Sequence, residues 1–326
     1  MSIQIPEQAK LYYEMLRIRL IEEVIAERYS QQEMRCPVHL CIGQEAVPVG
    51  VCSALMSSDM VFGNHRAHGY YLAKGGDLKK MIAEIYGKAT GCCGGRGGSM
   101  HLIDLDVKFM GSTPIVAGTV PLGLGTALAT QLRGKEELTV IFFGDGCFEE
   151  GVVHESFNYA ALMRLPVIFV CENNGYSVYT NLGSRQPDRP MKKIAEAHGC
   201  EVDSGNGNDI EEVVEISHQA VSRVKASGCP QFLEFETYRW VEHCGPNDDD
   251  HLNYRPVDEV ASWKKKCPLR HMEARLLSEK IITSENLDSY HRSIMDEIEL
   301  SFKFALASPF PSPKSLYQLS SNEDSF

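Results

Sequence analysis

Leu138-Thr139-Val140-Ile141-Phe142-Phe143-Gly144-Asp145-Gly146 is followed, after one helix-length insert, by Val167-Ile168-Phe169-Val170-Cys171-Glu172-Asn173-Asn174-Gly175-Tyr176. Each stretch opens with an apolar run rich in β-branched and aromatic residues, the composition of strands buried on both faces of a parallel sheet. Between them Val152, Val153, Phe157, Ala160 and Ala161 recur at a spacing that predicts one face of a helix over 149–163. Such a helix runs about 20 Å at ~1.5 Å per residue, close to the length of a strand of about six residues, so strand, helix and strand fit one crossover. Asp145 and Asn174 then emerge at one edge of the sheet, outside the carboxyl ends of the strands, where ligands of open α/β sheets bind.

The glycines on both sides of Asp145 let backbone N–H groups approach a phosphate closely. A hard cation such as Mg²⁺ takes about six oxygens, with one or two side chains and substrate phosphates among them. Asp145, Asn174 and one backbone carbonyl leave room for two phosphate oxygens and a water. Gly-Asp-Gly and Asn-Asn-Gly also suit ordinary tight turns. Their joint placement after two buried strands favours a site for a metal and a diphosphate.

The GDG…NN pattern resembles the thiamine diphosphate motif. Phe157-Asn158-Tyr159-Ala160-Ala161-Leu162, continuing through Leu165-Pro166-Val167-Ile168-Phe169-Val170-Cys171-Glu172-Asn173-Asn174, resembles the alpha subunit of the decarboxylating component of 2-oxo acid dehydrogenase complexes. The likeness runs from about Met15 to Pro309. It implies an α/β thiamine diphosphate-binding fold, an open and mainly parallel sheet flanked by helices, with helical extensions at both ends. It also implies thiamine diphosphate and Mg²⁺ as cofactors, with Asp145, Asn174 and Tyr176 as metal ligands. His65, Arg66, Pro114, Val116, Gly144, Gly146, Cys147 and His243 join those three around the cofactor, and His65 and His243 carry catalytic roles. The activating acidic residue lies in a different domain in this family, and this chain has no room for a second α/β half of comparable size. A beta subunit in an α2β2 heterotetramer is therefore implied, with a lipoyl-bearing acyltransferase as acceptor and a small 2-oxo acid or acetoin as substrate.

Outward from the central stretch, residues 6–30 read as an amphipathic packing helix with Arg17, Arg19, Glu22 and Glu23 on its polar side. His39 to Ala46 reads as a loop entering a helix, and its Gly-Gln-Glu-Ala matches the family. Gly63-Asn64-His65-Arg66-Ala67-His68-Gly69 is either a solvated basic turn or, through the planar fork of Arg66, a diphosphate contact. The resemblance favours the second, and His65 stands where a tyrosine is common, as in the acetoin-cleaving branch. The glycine-rich run from Gly91 to His101 is expected near the cofactor or a subunit boundary rather than as a linker.

Residues 120–132 form a small-residue helix whose Gly123, Gly125, Ala127 and Ala129 permit close packing. The run lacks the third glycine of a dinucleotide fingerprint and follows no recognisable strand. In the family the backbone at Pro114 and Val116 binds the aminopyrimidine, and a proline keeps only the acceptor. Residues 209–226 read as a helix, 231–237 as a strand and 256–307 as further helices. The loop carrying His243 follows the strand, and its histidine is expected to be protonated beside the diphosphate. The serine that kinases modify in mitochondrial relatives is replaced by Cys244.

The chain has 326 residues and reads as a single domain over 1–326, ending in an extended tail over 308–326. A net charge of −12 argues against nucleic acid or an anionic membrane as partner. No apolar run reaches spanning length, and the early Glu7, Glu14, Glu22 and Glu23 do not fit a targeting segment, so a cytoplasmic location is expected. Eleven cysteines without a CxxC pair fit reduced thiols. Two other readings stay open at this point: a thiamine-dependent carboligase or acyl transferase with a small-molecule acceptor, and a redox or metal-binding protein using Cys92, Cys93 and the histidines.

Overall fold

The computed structural model describes residues 7–316. In chain order the elements are α1 (Glu7–Tyr29), α2 (Ala46–Ser53), β1 (Met60–Gly63), α3 (Ala67–Ala73), α4 (Leu78–Ile85), β2 (Phe109–Ser112), α5 (Thr119–Leu132) and β3 (Thr139–Gly144). There follow α6 (Gly151–Met163), β4 (Val167–Asn173), β5 (Tyr176–Ser177), β6 (Thr180–Asn181), α7 (Leu182–Arg185), α8 (Met191–Ala197), β7 (Glu201–Asn206) and α9 (Ile210–Ser227). The chain closes with β8 (Gln231–Glu236), α10 (Val257–Lys265), α11 (Pro268–Ser278) and α12 (Ser284–Ala307).

Six strands form one parallel sheet in the order β2-β1-β3-β4-β8-β7, and β5 and β6 make a small antiparallel hairpin. The central strands alternate as a doubly buried sheet requires. Val140, Phe142, Ile168 and Val170 enter a core shared with α1–α4, α9, α11 and α12. Ile141, Phe143, Val167 and Phe169 enter a second core under α5, α6 and α8. Because the strands are parallel, β1, β2, β3 and β4 all end at the same edge, and register pairs Gly144 with Glu172 there. The segments leaving those four ends build the site. Among the described residues no helix is long and apolar enough to cross a membrane.

Several local expectations change. The polar side of α1 is only partly solvated: Glu23 is exposed, but Arg19 and Glu22 are buried. Arg19 makes a two-pronged ion pair with Glu45 at 2.6 and 2.9 Å. Glu22 accepts from the Cys41 N–H at 2.6 Å and pairs with His68 Nδ1 at 2.5 Å. These pairs tie α1 to the loop that enters α2. A strand, β2, does precede α5, separated from it by residues 113–118. A Cβ on Gly123 would collide with Ile141, so that glycine permits the packing of α5 on β3, whereas Gly125 faces open space.

The glycine-rich loop lends no residue to the lining of the cleft described below, although its Ser99 pairs with His68 Nε2 at 2.8 Å in the Gly63–Gly69 run that also carries Arg66. It folds instead around the buried Glu84 carboxylate, which accepts from the N–H groups of Cys93, Gly95, Gly97 and Gly98 at 2.8, 2.8, 2.6 and 3.2 Å. The described part of the C-terminal segment leaves α12 extended at Ser308 and docks on the glycine-rich loop and its neighbourhood. Pro309 O accepts from Ala89 N–H at 2.9 Å, and Ser315 O accepts from Arg96 at 2.8 Å. Residues 317–326 lie outside the described residues.

Candidate active site

A cleft of about 250 Å³ opens at the shared strand edge. The turn after β1 brings Asn64, His65 and Arg66, and the segment after β2 brings residues 113–117. The end of β3 brings Gly144, Asp145, Gly146 and Cys147, and the end of β4 brings Glu172, Asn174 and Tyr176. His39, Gln44 and His243 complete the lining. Every residue named from the sequence as a cofactor contact is therefore in one cleft. A roomier crevice of about 600 Å³ shares Asn174 with this cleft, but its three carboxylates, Glu234, Glu236 and Glu259, outnumber its one cation, Lys192, so it suits an anion less well.

Arg66 is buried and donates to Leu40 O at 2.8 Å, to His243 O at 3.1 Å and to His243 Nδ1 at 3.1 Å. Among the described residues no carboxylate lies within ion-pair distance of it. Burial, with the neighbouring Arg239 guanidinium, lowers its pKa to about 9. A buried cation held only by neutral acceptors is poised for an anion. This overturns the solvated-turn alternative for the Gly63–Gly69 loop.

His39, His65 and His243 face one another, with ring centroids 4.8 to 5.2 Å apart. Burial, then the Arg66 guanidinium, lowers His39 and His243 to about 3, and the same causes push His65 well below its usual value. Arg66 can only donate, so Nδ1 of His243 accepts and the proton of the neutral ring sits on Nε2. In this cleft desolvation and the adjacent cation favour the neutral ring, and the protonated state expected for His243 depends on a bound diphosphate outweighing both.

Asp145 is buried at the head of a short 3-10 turn, Asp145–Glu149. Desolvation raises its pKa, and the Arg185 guanidinium paired to Oδ2 acts against that rise. Oδ1 has no side-chain partner among the described residues. Asn174 Oδ1 accepts from Tyr176 N–H at 3.1 Å, which fixes the amide with its oxygen toward the turn, and Nδ2 donates to Gln44 at 3.3 Å. The Tyr176 hydroxyl is drawn to Glu259 at 2.9 Å, leaving the backbone carbonyl as the atom a metal could use. Glu172 is fully buried, accepts from the Tyr70 hydroxyl, and is pushed up to about 7 by burial. The Cys147 thiol, pushed up to about 12 by burial, stays neutral. An anionic diphosphate with a hard cation fits this donor set: Asp145 Oδ1, the Asn174 amide oxygen and the Tyr176 carbonyl offer hard oxygens, and the same cleft holds the uncompensated Arg66 guanidinium.

Among the described residues a cysteine-based metal site has one candidate cluster, and its carboxylate is already engaged. Glu84, Cys92 and Cys93 form it, and four backbone N–H groups occupy both oxygens of Glu84.

The dehydrogenase E1 component model matches residues 13–314. The chain belongs to the dehydrogenase E1 component family. This E1 chain is 36% identical over 307 residues to the alpha subunit of the acetoin:2,6-dichlorophenolindophenol oxidoreductase of Bacillus subtilis, covering 94% of this chain and 91% of that one. It is 35% identical over 311 residues to the pyruvate dehydrogenase E1 component subunit alpha of Rickettsia typhi, covering 95% and 94%. The corresponding subunit of Rhizobium meliloti is 34% identical over 312 residues, covering 95% and 89%. Membership implies thiamine diphosphate as cofactor, and an alpha-type chain implies a beta-subunit partner.

The sequence reading gave no role to four residues of this E1 site. His39 is buried with an unpartnered Nδ1 on the cleft wall. Gln44 sits in the Gly-Gln-Glu-Ala run and Glu172 directly precedes the two asparagines, so both stood beside motifs already marked. Arg185 had no signal, because an arginine in an irregular polar segment looks like any solvated charge.

Proposed function

We propose that this alpha chain, read as one α/β unit over 1–326, holds the Mg²⁺ and diphosphate half of a thiamine diphosphate site that a beta subunit completes. The assembly would be α2β2, would act on a small 2-oxo acid or acetoin, and would pass the acyl group to a lipoyl-bearing acyltransferase. The observation that carries the reading is that one cleft holds both the buried, carboxylate-free Arg66 and Asp145, whose Oδ1 has no side-chain partner among the described residues. Free thiols throughout, several of them part-exposed, support a reducing, cytoplasmic setting.

Thiamine diphosphate supplies the carbanion chemistry when bound, while the protein supplies binding, orientation and electrostatics. Asp145 Oδ1, Asn174 Oδ1 and the Tyr176 carbonyl would hold Mg²⁺. Arg66 would take the diphosphate, with Gly144 and Gly146 keeping the backbone close and Cys147 packing beneath the turn. Pro114 and Val116 would meet the aminopyrimidine through the backbone, Pro114 as acceptor alone. His65 and His243 would carry the catalytic roles near the reacting centre, the Nε2–H of a neutral His243 as a hydrogen-bond donor and the unprotonated ring nitrogen of His65 as an acceptor.

The test is titration of the co-expressed alpha and beta chains with Mg²⁺ and thiamine diphosphate. Asp145→Asn and Arg66→Met should each abolish or strongly weaken binding. Wild-type affinity in both variants would remove the assignment. A substrate screen of the same complex, with lipoylated and small-molecule acceptors in parallel, then fixes the acid and the acceptor.

A further inference from the structure

Arg185, the last residue of α7, is held on three sides. Its Nε donates to Thr180 O at 3.1 Å, Nη1 to Glu149 at 2.5 Å and Nη2 to Asp145 Oδ2. Gln186 braces the same carboxylate, donating to Glu149 at 2.6 Å and to Asp145 O at 3.3 Å. The segment also packs on the Gly-Asp-Gly turn, since a Cβ on Gly146 would reach 2.8 Å from Ser177 Oγ. The side chain is 10% exposed, so this is a fixed fork and not a loose surface charge.

Two features separate a support from a plug. Glu149 cancels the guanidinium charge, so Asp145, Arg185 and Glu149 together still offer a net negative charge to a cation. The guanidinium also takes only Oδ2. Mg²⁺ demands near-octahedral geometry with single-oxygen carboxylate contacts, whereas the larger Ca²⁺ accepts both oxygens of one carboxylate. We infer that Arg185 is a positioning residue that clamps Oδ2 of Asp145, so that Oδ1 alone is presented to the metal and Mg²⁺ is favoured over Ca²⁺. The inference rests on Asp145 as a metal ligand. It adds that the 176–185 segment supplies both the Tyr176 carbonyl and the clamp, so one segment sets two parts of the coordination shell.

The experiment titrates Mg²⁺ and Ca²⁺ separately into the co-expressed alpha and beta chains at fixed thiamine diphosphate, following heat release. Arg185→Met should weaken Mg²⁺ on the order of 10–100-fold, the usual loss for an outer-shell partner. Its Ca²⁺ to Mg²⁺ affinity ratio should rise, a change that a merely structural role would not produce. Arg185→Lys should show the same trend at smaller size and serves if the methionine variant does not fold. Unchanged or tighter Mg²⁺ binding in Arg185→Met, with Asp145→Asn still defective, overturns the clamp and leaves the metal site standing. Unchanged Mg²⁺ binding in Asp145→Asn overturns both.

Discussion

Arg66 is costly to bury and useful for that reason. Its guanidinium gives its hydrogen bonds to Leu40 and His243 and none to a carboxylate, so a bound diphosphate would be its first full charge partner. A hydrogen bond to a charged group contributes about 1.5–3 kcal/mol, so Arg66→Met should weaken diphosphate binding on the order of 10–100-fold by isothermal titration. Unaltered affinity would mean that the guanidinium faces something else. The three histidines give a second prediction at this scale. His39 and His243 fall from the ordinary 6.5 to about 3, burial being the larger cause and the Arg66 charge the next. Between those values the unfolded chain binds protons that the folded one does not, so the contribution to stability is complete above about pH 6.5 and is lost as pH falls toward 3. The urea midpoint should drop between about pH 7 and about pH 5, and His39→Gln combined with His243→Gln should shrink that drop. An equal drop in the double variant would assign acid sensitivity to other groups.

At the scale of elements, α5 carries two glycines with opposite expected effects. A side chain at Gly123 runs into Ile141 on β3, so Gly123→Val should destabilise by about 1–3 kcal/mol through overpacking. Gly125 meets nothing within 4 Å, so Gly125→Ala should stabilise by about 0.4–1 kcal/mol by restricting the unfolded chain. Chemical denaturation of both variants checks the pair, and equal effects would contradict the packing described. The β3-α6-β4 unit was legible because its strands are apolar on both faces and its helix repeats at regular spacing. β1 has four residues, too few to show a period, and β7 is a half-exposed edge strand reading Glu-Val-Asp-Ser-Gly-Asn, so neither left an apolar pattern. Arg19 and Glu22 were misplaced for a related reason. A helical wheel assigns charges to solvent, and their burial depends on Glu45, Cys41 and His68, partners that only the folded chain brings near. Asp145 and Asn174 were readable from the strands they follow and His65, Arg66, Pro114 and Val116 from the family resemblance, whereas Arg185 reaches Asp145 through a hairpin that no local rule dictates.

At the scale of the whole molecule, the carboxylates lining the cleft, among the described residues, are Asp145 and Glu172. Both are committed. Asp145 is bound by Arg185 on one oxygen and is the proposed metal ligand on the other, and Glu172 is buried under the Tyr70 hydroxyl. With both carboxylates held by these partners, the group that activates the aminopyrimidine is expected from the beta subunit that an alpha-type chain implies. The alpha chain purified alone should turn over no 2-oxo acid and no acetoin, even with Mg²⁺ and thiamine diphosphate at saturation, and adding the beta chain should restore activity. The comparison has to be made with cofactor binding measured in parallel. Silence with the cofactor bound places the missing group on the partner, whereas silence without binding would only show that the alpha half does not close alone. Turnover by the rigorously purified alpha chain would show that Glu172 or another group of this chain does the activating, and would end the case for a shared site.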